Sequence, residues 1–290
     1  MMIEYHADDF GASEGAARRM IDCINRGKLN GISLMPNAPA FNKCMEIFKA
    51  ECKKKVRLSV HLNIMTERPL SDPADIPDLV DDSGFFNMSY MKLIKACLIP
   101  SLGKRLRKEI KAELSKQINA CLPYIPEEEG LRLDSHRHFH MVPLVFSVID
   151  EIVREEGLNL SYIRIIREKP YLYRGLAGFQ HFRAVNIVKV ILLDLFSVID
   201  SIGWRELWNR GNGVFGSILF SGCMTKRNVK LILKNIERNP ASQGKDIELM
   251  FHPGAVTDPE ELQMIHDPED RAYMSDPLRF KEGEALMQST

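Results

Sequence analysis

Short apolar segments alternate with longer amphipathic segments along this chain, and that alternation is its most constraining feature. The apolar segments lie at residues 2–5, 31–35, 56–62, 131–135, 162–166, 216–220 and 247–251. Between most of them, apolar residues recur with helical spacing, for example after Ser13 and after Pro143. A strand followed by a helix, repeated about seven times, predicts a parallel sheet with helical crossovers.

The length of 290 residues favours a TIM-like, distorted β/α barrel of about seven strands, within the α/β class. An open doubly wound sheet is the alternative, but no G-x-G-x-x-G phosphate turn follows the first strand. The sequence contains no clear linker, low-complexity tract or internal repeat. We therefore expect a single domain over residues 1–290, with an irregular helical insertion at about 169–214.

The most apolar run, AVNIVKVILLDLFSVI, spans residues 184–199 within that insertion. Lys189 and Asp194 interrupt it, and it falls short of the roughly 20 apolar residues that a membrane span needs. Its spacing predicts a helix that is apolar over most of its circumference and is buried against the body of the protein or against another subunit. Such a helix would suit the interface of a homodimer.

The charge balance argues against polyanionic partners. Lysine plus arginine and aspartate plus glutamate number 39 each, which gives a net charge of +0. No long-range field draws such a chain to nucleic acid or to an anionic membrane, so we expect a small-molecule substrate and neither of those partners. The six cysteines include no C-x-x-C pair, which argues against a structural zinc cluster. Residues 1–10 show no signal peptide, and a cytoplasmic protein with free thiols is expected.

Polar residues stand at the end of four predicted strands. Asp8 and Asp9 follow the first strand, His61 lies at the end of the third, residues 134–140 follow the fourth and His252 follows the last. The carboxyl ends of parallel strands meet at the edge where α/β folds build their active sites. We therefore expect these side chains to converge.

Each group has a simpler interpretation when taken alone. Asp8 and Asp9 could form only a turn that caps a helix. In an extended segment, however, adjacent side chains point to opposite faces, so one carboxylate could bind a metal while the other accepts a proton. A lone histidine in an apolar run, such as His61, is more often a core residue than a ligand, and only the presence of the other groups favours a site.

The segment LRLDSHRHFH, residues 131–140, contains one acid and three histidines. If the strand continues, its period of two places five polar residues on one face, namely Arg132, Asp134, His136, His138 and His140. Neutral imidazoles bind divalent ions, and a nearby carboxylate can fix their tautomer. A solvated polar loop is the alternative, although the leading Leu-Arg-Leu is typical of a barrel strand.

Together these segments resemble the YdjC/ChbG family of carbohydrate deacetylases. The matching stretches are ADDFG (7–11), VHLN (60–63), IPDLVDDSGFF (76–86), DSHRHFHMVP (134–143), RIIRE (164–168) and MFHPG (250–254). They follow the family's order and spread over most of the chain. The resemblance implies a β/α barrel with a divalent metal at the carboxyl ends of its strands. It also implies removal of an N-acetyl group from an amino-sugar oligosaccharide, such as a diacetylchitobiose derivative.

On the matching positions, the resemblance implies that Asp9, His61 and His136 bind one divalent metal ion and that Asp8 is the general base. Three ligands leave positions open for water and substrate, which a hydrolytic metal needs. Magnesium, zinc, manganese or cobalt could occupy the site, and two neutral imidazoles favour a borderline ion such as zinc. His138 is expected to lie in the following loop and to contact substrate.

Reaction chemistry suggests further roles. The leaving amine must be protonated before it departs, and His252 is the candidate acid. Arg164 could orient Asp8 or bind substrate. Asp134 could anchor a metal ligand or bind substrate.

Other barrel enzymes remain alternatives. A metal-dependent phosphoesterase with two ions would need more bridging carboxylates, and a sugar isomerase would need further acidic ligands on later strands. The last matching stretches offer mainly Arg164, Glu168 and His252, which suits a hydrolase with one metal better. A non-catalytic metal- or sugar-binding relative is the remaining alternative, but such a protein would have no use for a base such as Asp8.

Overall fold

Seven parallel strands form one sheet in the computed structural model, which describes residues 2–175, 184–211 and 213–287. The strands are β1 (Ile3–Phe10), β2 (Gly31–Leu34), β3 (Arg57–Leu62), β4 (Leu131–Ser135), β5 (Leu160–Ile163), β6 (Val214–Gly216) and β7 (Ile247–Phe251). Their order across the sheet is β5-β4-β3-β2-β1-β7-β6, and each neighbouring pair is parallel. The α/β class and the seven strands predicted from the sequence are confirmed.

The sheet curls into a half-barrel whose two edges are β5 and β6. Side chains at β5 reach across the curl to β7. The hydroxyl of Tyr162 donates a hydrogen bond to Glu248, and Arg164, immediately after β5, donates to the same carboxylate. These contacts join strands that are far apart in the strand order, so the carboxyl ends of the strands surround one central region.

The helices connect the strands in the alternation that the sequence predicts. They are α1 (Glu14–Arg26), α2 (Phe41–Glu51), α3 (Tyr90–Leu98), α4 (Pro100–Cys121), α5 (Pro143–Glu155), α6 (Ala184–Gly203), α7 (Arg205–Trp208), α8 (Lys226–Arg238), α9 (Pro259–Met264), α10 (Pro268–Met274) and α11 (Leu278–Leu286). Local sequence explains where helices begin. Ser13 caps α1 by accepting a hydrogen bond from the Ala16 N–H, and Pro143 starts α5 without leaving an N–H unpaired.

Two strands have bounds that differ from the prediction at the site. β1 continues to Phe10, so Asp8 and Asp9 lie inside the strand and not in a turn after it. β5 ends at Ile163, three residues before the predicted end at residue 166.

The sixth predicted strand is present with different bounds, because β6 spans Val214–Gly216 and not residues 216–220. The buried carboxylate of Glu168 accepts hydrogen bonds from the backbone N–H groups of residues 217–219. Those N–H groups are therefore engaged by a side chain and not by a neighbouring strand.

The predicted insertion at about 169–214 contains α6, α7 and the start of β6. Residues 176–183 and 212 of that segment lie outside the described residues. Among the helices that are described, none combines the length and the apolar character needed to cross a bilayer.

The apolar run at residues 184–199 is buried on one face only. Leu193 and Phe196 lie in the core, whereas Ile191 on the opposite face is 65% exposed. The helix therefore packs against the body of the protein as predicted, but it also presents a second apolar face to solvent.

Candidate active site

A pocket of ≈ 390 Å³ lies at the carboxyl ends of the strands. Asp8, Asp9, His61, His136 and His252 all line it. These side chains come from β1, β3, and the segments after β4 and β7. The convergence expected from their positions at strand ends is thus present in the structure.

A β-bulge in β1 directs both of its acids into this pocket. Between Ala7 and Phe10, β1 contains one more residue than the facing stretch of β2. Asp9 has a left-handed backbone conformation with φ of 66°, which is uncommon for a residue with a side chain. The expectation that Asp8 and Asp9 point to opposite faces is wrong, because the bulge turns them toward the same pocket.

Asp9, His61 and His136 bring three potential ligand atoms to within 4.8 Å of one another. Oδ1 of Asp9 lies 3.4 Å from Nε2 of His61 and 2.9 Å from Nδ1 of His136. All three side chains are buried at the base of the pocket. One carboxylate and two imidazoles that converge in this way form a donor set suited to one divalent ion.

The second ring nitrogen of each histidine is hydrogen-bonded to a carboxylate. Nδ1 of His61 donates to Asp134 at 2.6 Å, and Nε2 of His136 donates to Asp270 at 2.9 Å. Partners of this kind orient an imidazole and direct its free lone pair toward a metal. Asp134 is completely buried, so the structure places it behind His61 and not on the pocket wall.

The electrostatics of this group also favour a cation. Burial opposes protonation of both histidines, but the neighbouring carboxylates outweigh burial and raise the pKa of His61 to about 9 and that of His136 to about 10. Despite its own burial, the Asp9 carboxyl has a pKa well below its ordinary value because the two imidazoles hydrogen-bond to it. A divalent ion would bind here in exchange for protons.

His6, Asp8 and Asp134 form a second group of potential ligands. Arg164 already pairs with both of its acids: Nη1 and Nη2 lie 2.8 Å from the two Asp8 oxygens, and Nη2 lies 3.1 Å from Asp134. Nε2 of His6 is 2.6 Å from the hydroxyl of Ser33. Because a guanidinium already neutralises these carboxylates, this second group does not fit a metal ion.

Arg164 lies behind Asp8, completely buried. Its Nε donates to Glu248 at 2.7 Å. Burial opposes its charge, but the carboxylates of Asp134, Asp8 and Glu248 together hold the pKa of this guanidinium well above its ordinary value. With no exposed surface, Arg164 is placed to orient Asp8 and not to meet a ligand directly.

His252 lines the pocket beside Tyr273. Its Nδ1 lies 3.0 Å from the Tyr273 hydroxyl, and the tyrosine ring packs edge-on against the imidazole. Burial lowers the pKa of His252 to about 4, although Asp9 and Asp8 oppose this effect. The imidazole is therefore neutral at neutral pH, and once protonated it is a strong proton donor.

The three histidines after β4 have different surroundings. Arg137 and His138 both have left-handed backbone conformations, with φ of 53° and 65°, so the predicted period-two face ends at His136. His138 lines the pocket, and its Nδ1 has no hydrogen-bond partner among the residues described. His140 is completely buried and donates from Nε2 to the carbonyl of Arg164 at 2.8 Å. Only His136 reaches Asp9.

Sequence reasoning missed the residues that the C-terminal helices contribute. Asp270 and Tyr273 of α10 contact the histidines of the pocket, and the buried Arg279 of α11 lies 3.8 Å from Asp9. None of these residues lies at a strand end or in an alternating pattern. Glu248 could have been identified from the sequence, because it is a single acid inside the apolar segment IELMF.

Comparison with known proteins gives several matches. The family model of YdjC-like proteins matches residues 3–290. A carbohydrate deacetylase of Clostridium beijerinckii is 27% identical over 171 residues, which are 59% of this chain and 64% of that protein. A carbohydrate deacetylase of Danio rerio is 23% identical over 286 residues, which are 93% of this chain and 87% of that protein. The match thus spans less than two thirds of the Clostridium protein's length.

The fold also matches solved structures. One of them is a protein of Enterococcus faecalis V583 described as a candidate for cellobiose-phosphate cleavage, with a TM-score of 0.65 and 18% identity. The match covers 99% of this chain and 91% of that chain. At this identity the likeness concerns the fold alone. The family match, however, extends over nearly the whole sequence, and the chain belongs to the YdjC-like protein family.

Proposed function

We propose that this protein is a metal-dependent hydrolase that removes N-acetyl groups from amino sugars. The observation that carries the proposal is the position of Asp8 in the same pocket as the convergent ligand atoms of Asp9, His61 and His136. Metal-assisted hydrolysis of an amide uses both a metal site and a base for the attacking water. The relatives named carbohydrate deacetylases support an acetylated sugar as the substrate.

One divalent ion is the proposed cofactor, with Asp9, His61 and His136 as its ligands. When bound, such an ion supplies Lewis acidity to water and to the acetamide carbonyl. Two imidazoles and one carboxylate suit zinc better than magnesium, which prefers oxygen ligands. The carboxylates of Asp134 and Asp270 keep the two imidazoles oriented toward this position.

Asp8 is the proposed general base. Its carboxylate lines the pocket next to Asp9 and accepts the proton of the attacking water. Arg164 is the proposed positioning residue, because its guanidinium bonds both Asp8 oxygens and is itself held by Glu248. A base in a fixed orientation does not have to be reordered when substrate arrives.

His252 is the proposed acid. The Tyr273 hydroxyl holds the ring in place through Nδ1. Because burial keeps the His252 imidazole neutral at neutral pH, the ring first takes up the proton that the attacking water releases to Asp8 and then gives it to the leaving amine. His138 is the proposed substrate contact, since its side chain lines the pocket and its Nδ1 has no hydrogen-bond partner in the described part of the chain.

The pocket walls suit an acetylated sugar. Apolar side chains of Met65, Met88 and Val185 lie beside polar ones such as Asn186, a combination that accommodates both an acetyl methyl group and sugar hydroxyls. The proposed substrates are chitobiose-like oligosaccharides or their phosphorylated derivatives. A reducing cytoplasm is the proposed compartment, and it suits the six free cysteines.

The competing functions have less support. A phosphoesterase with two metals would need a second ion beside Asp8 and Asp134, where Arg164 already lies. A sugar isomerase would need acidic ligands from later strands, yet Glu248 is paired with Arg164 and Glu168 with backbone N–H groups. A passive binding protein would not need a base beside the metal ligands.

The direct test is acetate release from N,N′-diacetylchitobiose and from N-acetylglucosamine phosphates. We expect one bound divalent ion per chain, release of acetate, loss of activity with a chelator and recovery on addition of zinc. Acetate release that is unaffected by complete metal removal would contradict the proposed cofactor. Release of phosphate or an isomerised sugar without acetate would instead support one of the competing functions.

A further inference from the structure

α6 is apolar on two opposite faces. One face packs into the core through Leu193 and Phe196. The other face presents apolar side chains to solvent over the whole length of the helix, namely Val185, Ile187, Val188, Ile191, Leu195, Val198, Ile199 and Ile202. A continuous exposed stripe of this kind marks a contact surface.

α3 extends this surface. Met91, Leu98 and Ile99, on α3 and at its end, are exposed, with Leu98 at 76%. Both α3 and α6 pack against α5. We call the exposed apolar residues of both helices the α3–α6 surface.

The α3–α6 surface begins at the mouth of the candidate active site. Tyr90, the first residue of α3, lines the pocket, and so do Val185 and Lys189 near the start of α6. Both helices therefore extend away from the pocket with their apolar residues exposed. Whatever covers this surface also lies at the entrance to the pocket.

Basic residues adjoin the same surface. Residues 90–108 contain six lysines and arginines and no acid, although the whole chain has a net charge of +0. Arg105 and Arg107 of this segment pair with Asp78 and Glu151, so its exposed lysines carry the local positive charge. Lys95 shares the exposed face of α3 with Met91 and Leu98, at helical spacing. Lys104 and Lys108 are exposed one turn apart on α4. Exposed apolar side chains bordered by cations are typical of segments that bind the interface of an anionic bilayer.

A second copy of this chain fits the surface less well. A two-fold contact would place each α3–α6 surface against the same surface of its partner. The basic segment 90–108 would then approach its own copy, which costs electrostatic free energy. An anionic lipid headgroup complements those charges, and acyl chains complement the apolar side chains.

We propose that the α3–α6 surface rests on an anionic lipid bilayer and that the adjoining pocket takes N-acetylated amino sugars carried by a membrane lipid. The second half of this statement rests on the proposed deacetylase function, whereas the first half does not. This proposal revises the expectation of no membrane partner, which is based on the net charge of +0 and therefore concerns long-range attraction only. The proposed attraction is local and short-range and arises from residues 90–108.

Vesicle co-sedimentation tests the contact. Wild-type protein should sediment with vesicles of an equal mixture of phosphatidylcholine and phosphatidylglycerol. The double variant Ile191→Asn/Leu195→Asn should lose at least about tenfold in partition coefficient, because two buried aliphatic contacts are lost. Met264→Gln, at an exposed apolar residue of α9, is the matched control and should bind as wild type.

Charge-reversal variants separate binding to anionic lipid from non-specific hydrophobic adsorption. Lys104→Glu/Lys108→Glu should weaken sedimentation with the anionic vesicles, and Lys230→Glu/Lys234→Glu, a lysine pair with the same spacing on α8, should not. Wild-type protein that fails to sediment, or two lysine variants that behave alike, would overturn the proposal. A dimer that Ile191→Asn/Leu195→Asn converts to a monomer would overturn it too, in favour of a contact between copies.

Activity measurements separate this proposal from the proposed function. Ile191→Asn/Leu195→Asn should release acetate from soluble diacetylchitobiose at the wild-type rate but lose about tenfold or more on N-acetylglucosamine linked to a dialkyl lipid in the vesicles. Equal rates of the variant and wild type on the embedded substrate would overturn the lipid-carried substrate. Vesicle binding with no acetate from either substrate would uphold the membrane contact and refute the deacetylase function.

Discussion

Arg164 donates hydrogen bonds to both oxygens of Asp8, with Nη1 and Nη2 each 2.8 Å from their acceptors. The same guanidinium donates to Glu248 from Nε and lies 3.1 Å from Asp134. One buried cation thus pairs with acids from β1, β4 and β7. The same arginine therefore orients Asp8, the proposed base, and stabilises the curled sheet.

Removal of that cation should destabilise the fold. Arg164→Ala removes the arginine that pairs with three buried carboxylates, and we expect the free energy of unfolding to fall by about 3–5 kcal/mol in urea denaturation. Arg154→Ala, which breaks an exposed ion pair with Asp150, is the matched control and should cost less than about 1 kcal/mol. Similar losses in the two variants would show that Arg164 does not have this structural role.

Asp8→Asn tests the base itself. The amide cannot accept a proton, so we expect the rate of acetate release to fall by about 10²–10⁴. Metal content, measured by elemental analysis, should stay at the wild-type level because Asp9, His61 and His136 are unchanged. Deacetylation at the wild-type rate would refute Asp8 as the base.

Asp270, which accepts a hydrogen bond from His136, offers a test of the proposed metal site. Asp270→Asn weakens the hydrogen bond that orients His136, and we expect metal affinity to fall about 10–100-fold in competition with a chelating dye. His136→Ala should lose the metal altogether. Asp267→Asn is the control, since Asp267 also bonds Arg137 but does not contact His136. Should Asp267→Asn weaken binding as much as Asp270→Asn, the effect would come from Arg137.

Much of the fold and of the candidate site could be predicted from the sequence, because both depend on local sequence patterns. Apolar segments followed by Asp8, His61 and His136 identify strand ends, and parallel strands bring their carboxyl ends to one edge. The order of the strands along the sequence follows from the same alternation.

Other features depend on contacts that no local pattern encodes. The bulge that turns Asp9 into the pocket arises from its register with β2. Asp270 meets His136 across a separation of 134 residues, from a helix that lies outside the strand and helix alternation. The left-handed turn at Arg137 and His138 interrupts the period of two, although arginine is not a residue type that favours that conformation.

Asp200 on α6 is a buried carboxyl whose oxygens have no hydrogen-bond partner among the described residues. Burial raises the pKa of Asp200 from 3.8 to about 8. Between about pH 4 and pH 8, the Asp200 carboxyl is therefore protonated in the folded state and ionised in the unfolded state. The free energy of unfolding should therefore fall as the pH rises from about 4 to about 8 and then level off. Asp200→Asn cannot ionise, and above pH 8 it should be more stable than wild type by about 1–3 kcal/mol in urea denaturation, with little difference near pH 4.

The control Asp194→Asn, at a half-exposed position on the same helix, should show no such pH dependence. An equal gain for Asp200→Asn at both pH values would mean that the carboxyl is not held protonated by burial.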